Sequence, residues 1–411
     1  MLENHRSPIV VIGGGHAAAA LCAGLVDAGQ GARVHLVCEE ARLPYQRPPL
    51  SKAFLKNAAE TLQFLRAQAW YEDAGVTVHL ADAATAIERS AQRVTLRSGK
   101  VLNYGQLVLA TGTRARQLPG LQAANGGALD NVAALRSADD AERLRGLLTR
   151  ANQLTVLGGG FIGLEVAATA RALGKNVTVL EALPRLLARS VSPELAAYAL
   201  YTHRASGIDI RLGVAVGGFE VVGERLTALH VDGKRMSVDE VVLGIGAIAE
   251  QQLASSVGLE CSNGVVVDAH MRTSDANILA IGDCTSFPDS RSSQRLRLES
   301  VQNANDQGRT AAATLLGRDE PYRALPWFWS EQGALRLQMA GLMPANGERY
   351  RRSGATAYSF SIFHYLGEHL VCVESVNAPL DHMAARKLLE MGKNPAPALA
   401  CDSATPLRAL L

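Results

Sequence analysis

The chain has 411 residues, enough for two or three domains with well-filled cores. Its 48% hydrophobic content, 38 glycines and net charge of +2 describe an ordinary soluble α/β protein with no bias toward nucleic acid or membrane. No uncharged apolar run approaches 18 residues, and the opening Met1-Leu2-Glu3-Asn4-His5-Arg6 has no signal-peptide core, so a cytoplasmic protein is expected.

The first element is a βαβ unit from Pro8 to about Glu40. Val10-Val11-Ile12 runs into Gly13-Gly14-Gly15-His16-Ala17-Ala18 and an Ala-rich helical segment. The first glycine permits a tight turn, Gly15 lets backbone approach a pyrophosphate, and the small residue Ala18 keeps the helix against the sheet. The second strand, Arg33 to Cys38, ends at Glu39-Glu40, where a carboxylate can accept the hydroxyls of an adenosine ribose.

A proline-rich connection, Leu43 to Lys52, is followed by a predicted helical stretch to about Gly75 and by strands at Val76–Leu80 and Arg93–Leu96. Leu107 to Gly112 reads as a buried strand ending in a small-residue turn, and Ser137 to Arg150 as an amphipathic helix.

The phosphate-binding pattern then repeats. Thr155-Val156-Leu157 leads into Gly158-Gly159-Gly160-Phe161-Ile162-Gly163, and Asn176 to Leu180 ends at Glu181, 18 residues beyond Gly163. Glu181 favours NADH, because a carboxylate repels a 2′-phosphate; nearby Arg185 leaves NADPH open. One such loop is a weak signal, but two with their acids point to a protein holding two dinucleotides.

Gly244-Ile245-Gly246 marks another close backbone approach. Ile278 to Cys284 reads as a buried strand with an acidic end and no obvious partner in the second unit, and Leu298 to Leu316 as a helix. From about Pro321 the texture changes to short strands and a helix from Asp381 to Glu390. The predicted architecture is two Rossmann-like nucleotide domains, one inserted in the other, with a small αβ domain appended.

The six cysteines (Cys22, Cys38, Cys261, Cys284, Cys372 and Cys401) show no C-x-x-C or C-x4-C spacing, so no zinc site or redox dithiol is expected. Electrons must then leave without a cysteine relay.

Several long segments resemble the NADH-dependent ferredoxin reductases of bacterial oxygenase systems, a group with the glutathione-reductase fold. They are Leu43 to Lys52, Ala110 to Gly112, Gly158 to Ala167, Ala280 to Cys284, Leu298 to Ala304, Pro326 to Ser330 and Val373 to Asn377. The resemblance implies an FAD domain (1–115 and 247–320), an NADH domain (116–246) and a C-terminal domain (321–411). It places FAD at Gly13, Gly15, Ala17, Glu39, Arg47, Pro49, Lys52, Ala84, Arg136, Asp283 and Val301, with Trp329 at the flavin edge or a partner interface. It places NADH at Gly158, Gly160, Ile162, Gly163, Glu165, Glu181 and Gly246. Lys52 and Glu165 are implied to pair near the reacting rings. The expected acceptor is a 2Fe-2S ferredoxin, for which Arg291, Arg295, Arg297 and Arg309 are candidate docking residues.

The chain departs from the family after Gly246, where Ala247-Ile248-Ala249-Glu250 replaces a usual Pro-Asn pair, and at Gly333, where a tyrosine is common. Rubredoxin reduction, direct oxygen reduction and an apoptosis-inducing-factor-like role are the alternatives. Disulfide reduction is disfavoured, since Glu39 to Gly75 contains no cysteine.

Overall fold

The structure is a computed structural model that describes residues 7–411 except Ala124 and Ser293; the opening Met1 to Arg6, read above for signal-peptide character, lies outside the described residues. Among the described residues the chain divides into two compact units: residues 7–46, 62–114 and 248–324 form one, and residues 47–61, 115–247 and 325–411 the other.

The first unit is built on a five-stranded parallel sheet. Its strand order is Ile278–Ala280, Gln106–Leu109, Ile9–Ile12, Val34–Val37 and Thr77–His79. Strands Ile9–Ile12 and Ile278–Ala280 are continuous buried apolar runs because both of their faces are covered, whereas the edge strand Thr77–His79 is largely polar and partly exposed. The late strand finds its partner here, with Ile278 opposite Leu107 and Ala280 opposite Leu109. Helices His16–Asp27 and Val301–Leu315 lie together, and a Cβ on Gly308 would fall 2.5 Å from the Ala17 carbonyl oxygen. That contact sets how closely the two helices approach. Two three-stranded sheets belong to the same unit: an antiparallel one (Ala84–Glu88, Arg93–Leu96, Val101–Asn103) and a mixed one (Val265–Val266, Thr285–Pro288, Arg295–Leu296).

Two predicted elements are shorter than expected. The stretch from Lys52 to Gly75 is not one helix: it holds a single turn at Ala53–Lys56 and a short helix at Gln68–Asp73. Around Phe64 the backbone instead bonds to the proline-rich strand, Gln46 N–H to the Gln63 carbonyl and Leu65 N–H to the Pro44 carbonyl (both 2.8 Å). Tertiary pairing outweighs the local helical preference there. The strand from Ile278 stops at Ala280, and Gly282–Cys284 is a 3-10 turn.

The second unit repeats the plan. Its parallel sheet runs Asp209–Leu212, Asn176–Glu181, Gln153–Leu157, Glu240–Leu243, Val132–Ala134, with helices Ala138–Arg150, Phe161–Ala172 and Pro193–Ala205. Ser137 and Asp140 form a capping box at the first of these helices, which fixes its start. The C-terminal residues form a five-stranded antiparallel sheet, in the order Trp327–Gln332, Leu335–Gly341, His369–Val376, Phe360–Leu366, Glu348–Ser353, covered by helix Pro379–Glu390. Leu337, Phe360, Ile362 and Val376 of this sheet share one buried core with Val156, Leu164 and Val179. Gly333, where the family often has an aromatic, is the first central residue of a two-residue hairpin turn and takes φ +65°.

His382, 2% exposed on the C-terminal helix, makes no hydrogen bond through either ring nitrogen. Burial, then Arg386 and Arg336, push it down from the usual 6.5 to about 4. The unfolded chain therefore binds the proton more readily, and stability present above the unfolded value is lost as pH falls through this window. From pH 7 to pH 5 the loss from this one group is about 2 kcal/mol. Urea unfolding of His382→Phe at both pH values is expected to show that much less acid sensitivity than the parent; equal sensitivity would remove His382 from the account.

Candidate active site

Each parallel sheet carries a glycine loop between its central strand and the following helix. In the first unit, Gly13 N–H bonds to the Val37 carbonyl (2.8 Å). A Cβ on Gly13 would lie 2.1 Å from the Ala110 carbonyl oxygen, and its φ of +123° excludes other residues. The second unit reproduces this: Gly158 N–H bonds to Leu180 O (2.8 Å), and its Cβ would lie 2.4 Å from the Gly244 carbonyl oxygen. Gly163, in the first turn of the helix, has no room for a side chain because the Gly158 carbonyl oxygen would be 2.4 Å away.

Gly15 and Gly160 are different. A Cβ on Gly15 would meet no atom within 4 Å, and one on Gly160 would meet a single atom at 3.8 Å. Both residues are helix N-caps without a side-chain partner. Space is therefore left above the glycine at each helix start, where the first-turn N–H groups have no intrahelical acceptor, which is the arrangement that takes a pyrophosphate. The two loops fit two dinucleotides.

The acidic residues differ between the loops. Glu181 is held by its backbone surroundings: Oε2 accepts Gly159 N–H (2.6 Å) and Oε1 accepts Leu183 N–H (2.7 Å). Arg185, close to it in sequence, has its guanidinium bonded to the carbonyls of Val191 (2.7 Å) and Ala188 (2.6 Å). In the first loop the residue beside the middle glycine is Cys38, whose Sγ would be 2.8 Å from a Cβ on Gly14. Glu39 stands one residue further and is exposed, 3.4 Å from Arg97, while Glu40 accepts the Tyr45 hydroxyl (2.6 Å).

The remaining first-unit positions are on elements around that loop. Ala17 is buried in the loop's helix, and a Cβ on Gly282 would lie 3.1 Å from its side chain, so Asp283 is brought beside the helix start. Ala84 begins a strand and Val301 begins a helix capped by Ser300. Arg291, Arg295, Arg297 and Arg309 are also here, each with local bonds. Arg295 donates to the Val267 carbonyl (2.6 Å), Arg297 pairs with Glu299 (2.6 Å) and Arg309 with Asp306 (2.5 Å). Arg309 has the most exposed side chain of the three ion-paired arginines, at 69% against 41% for Arg291 and 14% for Arg297.

In the second unit the structure brings Lys52 and Glu165 together. Pro49 belongs to the 3-10 turn Pro48–Ser51, which delivers Lys52 Nζ 2.7 Å from Glu165 Oε2. Glu165, on the glycine-loop helix, is 3% exposed. Its Oε2 also accepts the Ser51 hydroxyl, and its Oε1 accepts the Ser330 hydroxyl (2.7 Å). Arg47 donates to the Arg136 carbonyl (2.9 Å). Ile162 is 45% exposed beside its loop, and Gly246 takes φ +100° past the end of strand Glu240–Leu243. Trp329 is half-buried and stacks on Trp327 with ring centroids 5.5 Å apart, while Phe328 packs on Phe161 at 4.6 Å.

Sequence reading missed the donors that serve Glu165. Ser51 and Ser330 lie inside segments quoted for the family resemblance, yet a serine there carries no pattern by itself. All six cysteines are free thiols, and burial pushes Cys22 up to about 12 and raises Cys284 and Cys372. No helix among the described residues is long and apolar enough to cross a membrane.

Comparison with known proteins agrees with this geometry. Residues 7–308 match the family described as pyridine nucleotide-disulphide oxidoreductase, and residues 327–411 match the reductase C-terminal family. Rhodocoxin reductase of Rhodococcus erythropolis is 42% identical over 96% of this chain and 92% of its own length. Putidaredoxin reductase of Pseudomonas putida is 38% identical over 99% of this chain and 97% of its own. The crystal structure of the ferredoxin reductase for the CYP199A2 system from Rhodopseudomonas palustris superposes with a TM-score of 0.93 at 39% identity, covering 98% of this chain and 99% of the other. The chain belongs to the pyridine nucleotide-disulphide oxidoreductase family, in the branch with a reductase C-terminal domain, and is an enzyme that uses FAD and NAD(H).

Proposed function

We propose that this chain takes electrons from NADH and passes them singly to a 2Fe-2S ferredoxin that serves a haem monooxygenase or a ring-hydroxylating dioxygenase. The observation that carries the reading is the pair of open glycine cradles in a chain whose thiols are all single. Putidaredoxin reductase, one of the similar proteins, has been crystallised as a covalent complex with putidaredoxin. When bound, FAD accepts a hydride and can release the pair one electron at a time.

The residues divide the work. Gly13, Gly15 and Ala17, with Glu39, Ala84, Asp283 and Val301, serve FAD from the first unit. Arg47, Pro49, Lys52, Arg136 and Trp329 are the second-unit residues assigned to FAD. Gly158, Gly160, Ile162, Gly163, Glu181 and Gly246 serve NADH. Lys52 supplies positive charge where negative charge develops, and Glu165 holds its ammonium in place. Hydride transfer asks for alignment and exclusion of water more than for acid–base groups. The first unit corresponds to the FAD domain, and the 116–246 segment to the NADH domain. Among the candidate docking arginines Arg309 is the strongest, since its exposed head can exchange Asp306 for a carboxylate of an acidic partner.

Glu181, with both oxygens already fixed by backbone donors, has no freedom to turn away from a 2′-phosphate, and Arg185 is occupied by carbonyls. A like-charge contact costs several kcal/mol, so kcat/KM for NADH is expected to exceed that for NADPH by about 100-fold or more. The yellow enzyme is to be assayed with both nucleotides against a panel of 2Fe-2S proteins. NADPH preference would contradict the role of Glu181, and equal NADH consumption without any carrier would favour an oxidase.

A further inference from the structure

Glu165 does not end at its serines. Ser330 Oγ lies 3.1 Å from Gln332 Nε2, and Gln332 Oε1 lies 2.8 Å from Nε2 of His203 on helix Pro193–Ala205. Every member of this line is buried: Glu165 3%, Ser330 0%, Gln332 2% and His203 2% exposed. Ser330 and Gln332 are alternate residues of strand Trp327–Gln332, so they share one face.

The polarity of the line follows from its charged end. A carboxylate only accepts, so the single Ser330 O–H must point to Glu165 Oε1. Ser330 then has lone pairs left for Gln332, which must offer its NH2. Its carbonyl oxygen is thereby turned to His203, which must carry a proton on Nε2. Burial lowers the proton affinity of His203, with the Gln332 bond opposing, so the imidazole is the neutral Nε2–H form. An amide is a poor proton conductor, so the line fixes orientation and does not relay protons.

We infer that Ser330, Gln332 and His203 are positioning residues that keep the Glu165 carboxylate supplied with a donor on Oε1 and turned to Lys52 on Oε2. The charged groups on the line's own elements and those packed against them are Lys52 and Lys56, Arg171, Glu181 at the end of strand Asn176–Glu181, Glu194 and Arg204, Glu331 with Arg336, and Asp209 with Arg211. Lys52 bonds to the line, whereas Glu331 pairs with Arg336 (3.9 Å) and Asp209 with Arg211 (2.8 Å). Nothing else charged bonds to its members among the described residues.

The kinetic arm of the test rests on the proposed NADH reaction, but the spectroscopic arm does not. In flavin-loaded protein labelled with [15N]histidine, and assigned by comparison with His203→Asn, the His203 proton is expected on Nε2 at neutral pH. A proton on Nδ1 would reverse the line and overturn the inference whatever the enzyme's substrate. Gln332→Glu keeps the shape but can no longer donate to Ser330; His203 is then expected to become a cation facing the new carboxylate. Flavin reduction by NADH should slow about 10-fold in Ser330→Ala, which loses a bond to the charged Glu165, and in Gln332→Glu, whose carboxylate competes with Glu165 for the single Ser330 O–H, and remain within about twofold of the parent in Ser330→Thr. Parent-like rates in both damaged variants, or equal loss in Ser330→Ala and Ser330→Thr, would overturn the positioning role. A parent that accepts no electrons from NADH would sink the functional reading and leave the tautomer measurement to decide this one.

Discussion

Lys52→Met is expected to slow flavin reduction by NADH by about 100-fold and to lower stability by about 3 kcal/mol. The kinetic loss follows from the proposed role of Lys52, a positive charge at the place where the reaction builds negative charge. The stability loss has a separate origin. Glu165 is 3% exposed, and without the ammonium its carboxylate keeps only the hydroxyls of Ser51 and Ser330. Removing one partner of a buried pair leaves a charge with too few donors, and that cost exceeds what the intact pair contributes. Lys52 retains 20% exposure, which places the effect at the lower end of the range for buried pairs. Combining it with Glu165→Gln tests the coupling, because the double variant has no stranded charge. Its destabilisation should be smaller than the sum of the two singles by about 2 kcal/mol. The checks are stopped-flow reduction and denaturant unfolding of the flavin-loaded proteins; strict additivity would show that the 2.7 Å contact carries no energy.

Much of this site is visible in the chain because its demands are local. A turn at Gly13 or Gly158 needs a residue without a side chain at one position, and strand–loop–helix order is set by apolar runs on either side. The acidic end of strand Asn176–Glu181 is likewise a local fact. The proline-rich Leu43–Lys52 segment marks Lys52 through family resemblance, and the structure supplies the reason, a 3-10 turn that aims Nζ at Glu165. What is not legible is whatever depends on distant partners. His203 comes from a helix about 130 residues before Gln332, and no periodicity predicts that they meet. The docking arginines show the same gap: Arg295 is exposed, as the sequence leads one to expect, but its guanidinium is bonded to the distant Val267 carbonyl, which no local pattern announces. Helix at 52–75 fails for a related reason, since the backbone there pairs with residues 44–46.

The sharpest separation of fold from ligand binding lies within a single loop. Gly13→Ala is expected to yield colourless, poorly folded protein, because its Cβ would sit 2.1 Å from a carbonyl oxygen and its φ of +123° strains any side chain. The penalty is about 3 kcal/mol or more. Gly15→Ala should behave in the opposite way. Its φ of −102° suits alanine and its Cβ would meet nothing within 4 Å, so the flavin-free protein should be as stable as the parent or slightly more so. If that empty space is where the FAD pyrophosphate comes against the helix N-terminus, the added methyl must weaken FAD binding, by about 100-fold for a contact that displaces the phosphate from its N–H donors. Gly160→Ala, at φ −81°, repeats the experiment in the second loop and should raise KM for NADH while leaving bound flavin untouched. Calorimetry of the apoproteins with flavin titration reads both halves. An alanine at position 15 that left flavin affinity unchanged would mean that the space above that glycine holds no phosphate, and the first cradle would lose its function.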